Sequence, residues 1–380
     1  MKIKLSRSFD IDLWDGPIED QKHSGRCWIY ASLNPLRQKL CEQLGRKDFR
    51  FSTNYIFYFD QLEKSKAFLD RVDKLRGKPL NDPVLSELLR MPVSSVGQWC
   101  YFALLAEQYG VVPQEIMPDT VATADGSAMT HRLSEALRSG AYRIRHGEES
   151  AEETTLKEIS SILQDALGTF PKYFEWESAT YTPQVFLRNC CNVNFADYVT
   201  LIHHPTERWK SFCAYHEEIC PSKRHPYLTM LSVDMETMKN LTLCQLRDGE
   251  QVVIGCDVRH AGNRAAGELS TEKYGAPLFR KGDAIAYREI YACHVMSIDG
   301  WAQDGRWKVQ DSHGVNRRAD PPFPERQSGK EGTGPDGHYV MTDAWFDAYV
   351  LSAVVQKKYL PENLRILLKQ SVYMPKTERF

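Results

Sequence analysis

The run Gln21-Lys22-His23-Ser24-Gly25-Arg26-Cys27-Trp28 places a thiol immediately before a segment of helical periodicity. Gly25 permits a tight backbone bend there. Cys27 is therefore expected at a helix N-terminus, where the helix dipole and free N–H groups stabilise a thiolate and lower the thiol pKa. A thiolate is the attacking species in acyl transfer. Gln21 carries a side-chain amide that could donate to an oxyanion, with the Cys27 backbone N–H as second donor. The plainer alternative is a buried, inert cysteine beside a core tryptophan. The Gln, Gly-Arg and Cys-Trp context argues against it.

A nucleophilic cysteine needs a base. His294 lies in the apolar run Ala292-Cys293-His294-Val295-Met296, and Asp311 in Trp307-Lys308-Val309-Gln310-Asp311-Ser312-His313-Gly314. Two strands joined through Gln303-Asp304-Gly305 would set Trp301 opposite Arg306, Ile298 opposite Val309, Met296 opposite Asp311 and His294 opposite His313. Alternation then puts 294, 296 and 311 on one face. His294 and Asp311 become diagonal cross-strand neighbours within side-chain reach. Such an Asp orients the imidazole and stabilises its protonated form. Without Cys27, the same pair would read equally well as a satisfied core histidine. His203-His204 precede Pro205, but adjacent strand residues face opposite ways and no partner has ligand spacing. No metal or cofactor is expected.

These groups need elements to hold them. Helical spacing runs from Trp28 to Leu44, closed by Gly45, then over Phe51–Leu69, Gln98–Tyr109 (closed by Gly110), His131–Arg145 and Glu152–Leu167. Val121–Met129 reads as a loop. From about residue 196 the pattern changes to strands: Asp197–His203, Tyr227–Val233, Gln251–Asp257, Glu289–Trp301 and Trp307–Asp311. Pro321–Gly337 is a Pro- and Gly-rich loop, Ala344–Val355 a strand or short helix, and Pro361–Leu368 a helix. Helices first and mostly antiparallel strands afterwards predict an α+β chain with two segregated layers.

Composition sets outer limits. The 380 residues carry 48 basic and 50 acidic side chains, a net charge of −2, which gives no argument for nucleic acid or an anionic membrane. No stretch of 18 apolar residues occurs, so no membrane span is expected. The ten cysteines show no paired CxxC spacing, and no signal-like apolar run follows Met1, so the expectation is a reduced, intracellular protein.

Taken together, the motifs resemble the bleomycin hydrolase/aminopeptidase C branch of the papain-like cysteine peptidases. Gln21 to Trp28 is similar to its Gln-x-x-x-Gly-x-Cys-Trp box, with Ser24 and Arg26 as usual in that branch. Asn54-Tyr55-Ile56-Phe57-Tyr58-Phe59-Asp60-Gln61-Leu62-Glu63-Lys64 resembles its insertion helix. Gly97-Gln98-Trp99, Tyr109-Gly110-Val111-Val112-Pro113, Tyr181-Thr182-Pro183, Val233 to Met238, Gly255 to Val258 and Met341 to Trp345 match along the chain. The resemblance implies a papain-like two-lobe fold. Residues 1–195 would form a mainly helical lobe carrying Cys27, 196–360 a mainly antiparallel β lobe carrying His294, and 361–380 an arm near the cleft. It also implies a cytoplasmic homohexamer acting on peptides or small amides, chiefly as an aminopeptidase.

Departures from the family surround the expected cleft. Asp311 and His313 stand where the family has Asn and Trp, and Val96-Gly97 where it has Gly-Gly. Val96 would narrow a subsite that Gly97 keeps open. In the family the terminal carboxylate holds the substrate α-amine; here that position falls to Phe380, without the usual Trp-Asp-Pro-Met-Gly ending. Besides a cysteine aminopeptidase, two other functions stay open. One is an amidohydrolase or acyltransferase for a single metabolite, using the same acyl-enzyme. The other is a non-catalytic scaffold.

Overall fold

The structure is a computed structural model that describes residues 4–207, 209–217, 229–316 and 332–374. Helix α1 (Cys27–Leu44) begins at the cysteine itself and ends at Gly45 in the left-handed conformation, φ 64°, as glycine allows. Helix α2 (Thr53–Lys74) starts two residues later than its apolar pattern suggests, because the Ser52 hydroxyl caps Tyr55 N. It also runs past Leu69, since the polar turns that follow still complete helical bonds. α3 (Pro83–Arg90), α4 (Trp99–Tyr109), α5 (Ser127–Arg145) and α6 (Ala151–Leu167) complete the larger helices of this part of the chain. α3 lies between the helical spans read over Phe51–Leu69 and Gln98–Tyr109. Its start is set by Asp82, which caps Val84 and Leu85, and by Pro83 in the first turn. The Val121–Met129 segment is not all loop: residues Val121–Ala124 form a short capped helix and α5 already begins at Ser127.

The strands lie mainly in one large mixed sheet, mostly antiparallel. Its central part runs β1 (Tyr198–Ile202), β6 (Val350–Gln356), β2 (Val252–Cys256), β3 (His294–Trp301), β4 (Trp307–Gln310) and β5 (His338–Met341), in that spatial order. β3 starts at His294 rather than Glu289, because Ile290 packs inward while 291–293 form an irregular, exposed approach. The 344–355 region is both of its alternatives in turn, a helix α8 (Asp343–Tyr349) leading into β6; α7 (Met235–Arg247) covers the sheet nearby. Of the two expectations at 227–233 and 321–337, residues 227, 228 and 321–331 lie outside the described residues.

The β3–β4 hairpin differs from the expected register at its tip and agrees with it near the site. Trp301 pairs with Trp307, not Arg306, and Gly300 with Lys308, while Ile298 pairs with Val309. The extra residue on β3 is Asp299, a bulge. Its side chain is fully buried and its carboxylate accepts from His338 Nε2 at 2.8 Å. Burial alone would lower the His338 pKa, but the Asp299 charge together with the bonds to Asp299 and Asp336 lifts the group to about 9. The bulge shifts the pairing by one residue and brings β3 and β4 into the register that the His294–Asp311 approach requires.

α1 is the central helix, packed against β3 on one side and α4 on the other. Trp28, Ile29, Leu33 and Leu36 are buried, each apolar chain of this size contributing ~1.5–3 kcal/mol relative to exposure. Pro35 lies inside α1 and has no N–H to give the Ala31 carbonyl. The Ser297 hydroxyl of β3 donates to that carbonyl instead at 2.9 Å, and Asn34 Nδ2 donates to Ser297 Oγ at 3.2 Å. The gap left by proline thus becomes a polar tie between the helix carrying Cys27 and the strand carrying His294.

Candidate active site

Gly25 adopts φ +67°, the bend expected before the helix, and a Cβ there would meet Ser95 Oγ at 2.5 Å. Arg26 is fully buried. Its guanidinium lies 4.0 Å over the Phe57 ring and donates to Asn54 Oδ1 at 2.6 Å, which fixes the start of α1 on α2. Cys27 follows, half-buried, at the first helical position.

Cys27 and His294 lie close enough for each to change the other's acidity. Burial pushes the Cys27 thiol up, but the His294 charge and hydrogen bond, with the Val295 backbone, bring it below its ordinary value. Burial likewise pushes His294 down, while the Cys27 thiolate and the Asp311 carboxylate raise it to about 10. Each group thus shifts the other toward the thiolate–imidazolium form.

Asp311 follows the end of β4 and is buried. Its Oδ1 accepts from His294 Nε2 at 2.7 Å and from Ser312 N at 2.8 Å. His313 Nδ1 lies 3.1 Å from both carboxylate oxygens, and the Thr333 hydroxyl donates to Oδ2. Burial would raise this carboxyl; the charge and hydrogen bond of His294, followed by those of His313, hold it well below the usual carboxylate range. The His313 and His294 rings sit 5.3 Å apart, so one carboxylate serves two imidazoles. The ligand atoms of His294, Asp311 and His313 all lie within 4.8 Å of one another. A metal ion could be held there only if His294 gave up the bond that orients it.

Gln21 comes in from the other side. The chain at 19–21 pairs with 312–314: Gln21 N donates to Ser312 O at 2.6 Å, Gly314 N donates to Glu19 O at 3.0 Å, and Asp20 bridges His313. Gly314 has φ +67° and lies close to the Asp20 side chain. Gln21 Oε1 accepts from the Ser312 hydroxyl at 2.6 Å, an orientation in which Nε2 is the donor end of the amide. A fourth side approaches through Gly97, where a Cβ would meet the Trp28 ring at 2.4 Å, so only glycine fits against the indole. The neighbouring Val96 side chain is exposed.

Cys27, His294, Asp311, His313 and Gln21 are thus in one cluster, with Val96 and Gly97 on a segment that packs on Trp28. Phe380 lies outside the described residues. The last described segment of the arm, Val372–Met374, pairs in parallel with Cys213–Glu217 at one edge of the sheet. Sequence reading missed Ser312 and Thr333. Ser312 sat within the quoted Asp-Ser-His-Gly run and only the lobe-to-lobe pairing gives it a partner. Thr333 comes from a separate loop with no signal of its own.

The Peptidase C1-like family matches residues 1–376. The chain is 29% identical over 391 residues to "Aminopeptidase C" of Listeria innocua serovar 6a, covering 96% of this chain and 85% of the relative. It is 30% identical over 400 residues to "Aminopeptidase C" of Lactobacillus delbrueckii subsp. lactis, with 96% and 84% covered. "Aminopeptidase E" of Lactobacillus helveticus is 30% identical over 399 residues, with 97% and 87% covered. Among solved structures, PepW of Lactobacillus rhamnosis superposes with TM-score 0.86 at 30% identity, covering 97% of this chain and 87% of that one. With that match in sequence and in α+β architecture, the chain belongs to the Peptidase C1-like family and is a papain-like cysteine peptidase of the bleomycin hydrolase/aminopeptidase C branch.

Proposed function

We propose that the protein hydrolyses peptide or small amide bonds through a thioester on Cys27, acting as an aminopeptidase. The observation that carries this reading is the Cys27–His294 pair at the start of α1, with the thiol lowered and the imidazole raised to about 10. The Cys27 thiolate attacks the carbonyl carbon, and the oxyanion accepts from Gln21 Nε2 and the Cys27 backbone N–H. His294 then gives its proton to the leaving nitrogen, so an amine departs and a thioester remains. Water, deprotonated by His294, attacks the thioester and releases the acid and the thiolate. Asp311 keeps the ring oriented throughout. Val96 and Gly97 line the substrate, with the Gly97 backbone as the close approach. The named aminopeptidase relatives support release of N-terminal residues. A reactive thiolate suits a reducing, cytoplasmic setting, and assembly as a homohexamer follows the same family reading. Among the described residues no helix is long and apolar enough to cross a membrane.

The test is a panel of free and N-blocked aminoacyl fluorogenic amides, with Cys27→Ala as control. Turnover of free substrates only is expected. Turnover of both kinds would remove the α-amine selection. No turnover, with Cys27 still readily alkylated, would favour a dedicated metabolite amidohydrolase or acyltransferase, which His313 beside the dyad could serve by contacting that substrate. No turnover and no labelling by a thiol-reactive epoxide at neutral pH would leave a scaffold.

Asp311 gives a separate expectation. Asp311→Ala should lower kcat/KM by roughly 10²-fold, because the imidazole loses its orienting acceptor. Asp311→Asn keeps an oxygen for His294 Nε2 and should cost much less. Since the Asp311 charge helps hold His294 near 10, the alkaline limb of the Asn variant's pH–rate profile should move to lower pH. An unmoved limb would show that the charge does not support the imidazolium.

A further inference from the structure

Beside the cleft, one turn of α2 spends its polar groups on an irregular segment of main chain. An ammonium has three N–H donors, and Lys64 Nζ places them on Asp60 Oδ2 at 2.8 Å, Ser94 O at 3.0 Å and Val96 O at 2.7 Å. Gln61 Nε2 donates to the same Ser94 carbonyl at 3.0 Å and to Asp60 Oδ2 at 2.8 Å. The carbonyl between them, Ser95 O, accepts from Trp28 Nε1 at 2.9 Å. Three successive carbonyls are thus turned inward, toward α2 and the tryptophan next to Cys27.

Peptide planes are rigid, so fixing the carbonyls of 94, 95 and 96 fixes where the N–H groups of 95, 96 and 97 point. The next residue is Gly97, pressed on the Trp28 ring. Asp60 and Gln61 are buried, and Lys64 has a side-chain exposure of 23%. Burying charged and amide groups is costly unless they are paired. An apolar filler at these positions would pack α2 without that cost, but it would leave the carbonyls of 94 and 96 undirected. Lys64 also lies 5.7 Å from the Trp28 ring centre, so the same ammonium braces the indole.

We propose that Lys64, held by Asp60 and assisted by Gln61, is a positioning residue that clamps the 94–97 backbone in the orientation in which it pairs with a peptide substrate. The proposal rests on the reading of the Cys27 cleft as a peptide site. Lys64 makes no contact with substrate and does not touch the dyad, so binding should depend on it while thiolate reactivity should not.

The test measures calorimetric binding of leucyl-leucine amide to the Cys27→Ala protein and to Cys27→Ala/Lys64→Met. In the protein that keeps Cys27, it compares iodoacetamide alkylation and amide turnover with and without Lys64→Met. The expected result is an affinity loss of about tenfold, a KM rise of similar size with kcat less affected, and an unchanged alkylation rate. Gln61→Leu removes one of the two donors on Ser94 O and should give a smaller loss in the same direction; it carries the test if Lys64→Met fails to fold. Equal affinities with and without Lys64 would overturn the clamp and leave the catalytic reading standing. Alkylation falling in step with affinity would overturn it too, by showing that Lys64 supports the fold at large. Failure of the Cys27→Ala protein to bind peptide at all would overturn the peptide-site reading, and the clamp with it.

Discussion

Cys27→Ala should reduce turnover by at least ~10⁴-fold, since removing the nucleophile of a concerted set costs about as much as removing the set. His294→Gln separates the two halves of that effect. In the parent the imidazolium lowers the Cys27 thiol, and the reactive pair exists between the lowered thiol pKa and the raised imidazole pKa of about 10. As pH falls through the first, the thiolate is lost; as pH rises through the second, the proton for the leaving group is lost. The rate should follow a bell whose alkaline limb lies near pH 10. Without His294, burial is opposed only by the Val295 backbone, and the thiol pKa should rise toward or above the ordinary ~8.5. At pH 6.5 the thiolate fraction of such a thiol is only ~1%, so alkylation should be slower than in the parent. Alkylation of His294→Gln at the parental rate would show that the thiolate owes its stability to the start of α1 and not to the pair.

Gln21→Ala should lower kcat by ~10²–10³-fold, the usual cost of one oxyanion donor. Iodoacetamide reacts by displacement at a saturated carbon and builds no oxyanion, so its rate with Cys27 should barely change. Gln21→Glu sharpens the point. The Ser312 hydroxyl, 2.6 Å from Gln21 Oε1, would still find an acceptor, so the pairing of 19–21 with 312–314 survives. The donor end, however, becomes a second acceptor facing the oxyanion. Loss of turnover in both variants with alkylation intact would assign Gln21 to the oxyanion; loss of alkylation as well would mean that it holds the dyad in place.

The Asp311 variants address a different feature. The carboxylate takes bonds from His294, Ser312, His313 and Thr333. Such a group is strongly constrained, and its replacement by an amide tests charge with shape nearly kept. Where the family has an uncharged Asn shielded by Trp, this chain has a buried charge shared by two histidines. The comparison of the Asn and Ala variants therefore reports how much of the imidazolium's stability is electrostatic.

Local chemistry in the sequence was enough to place α1 and its N-terminal cysteine. Gly25, the apolar spacing from Trp28 to Leu44 and Gly45 act within a few residues of one another, and the structure repeats them with little change. The His294–Asp311 approach was legible for a related reason: strand alternation is a local rule, and two strands separated by a short turn have few registers. Even so, the tip of the hairpin pairs differently, because the Asp299 bulge answers to His338, a residue from another strand. Helix limits at Ser52, Asp82 and Ser127 were set by caps and turns that apolar periodicity does not register.

Tertiary structure alone decided the rest. Ser312 acquires meaning only when the Glu19–Gln21 segment crosses to meet it, and Thr333 only when a distant loop closes over Asp311. Pro35 and Ser297 become one tie because a missing backbone donor in α1 faces a hydroxyl on β3. Lys64 was legible as part of a helix, but not as a support for three carbonyls beside the cleft. In each case the partner is remote in sequence, and a side chain's donors and acceptors carry no mark of which distant group will satisfy them. The sequence by itself determined the family and singled out the pair proposed as nucleophile and base; the folded chain decided how they are held in place, since burial obliges each polar group to find a partner that only packing brings near.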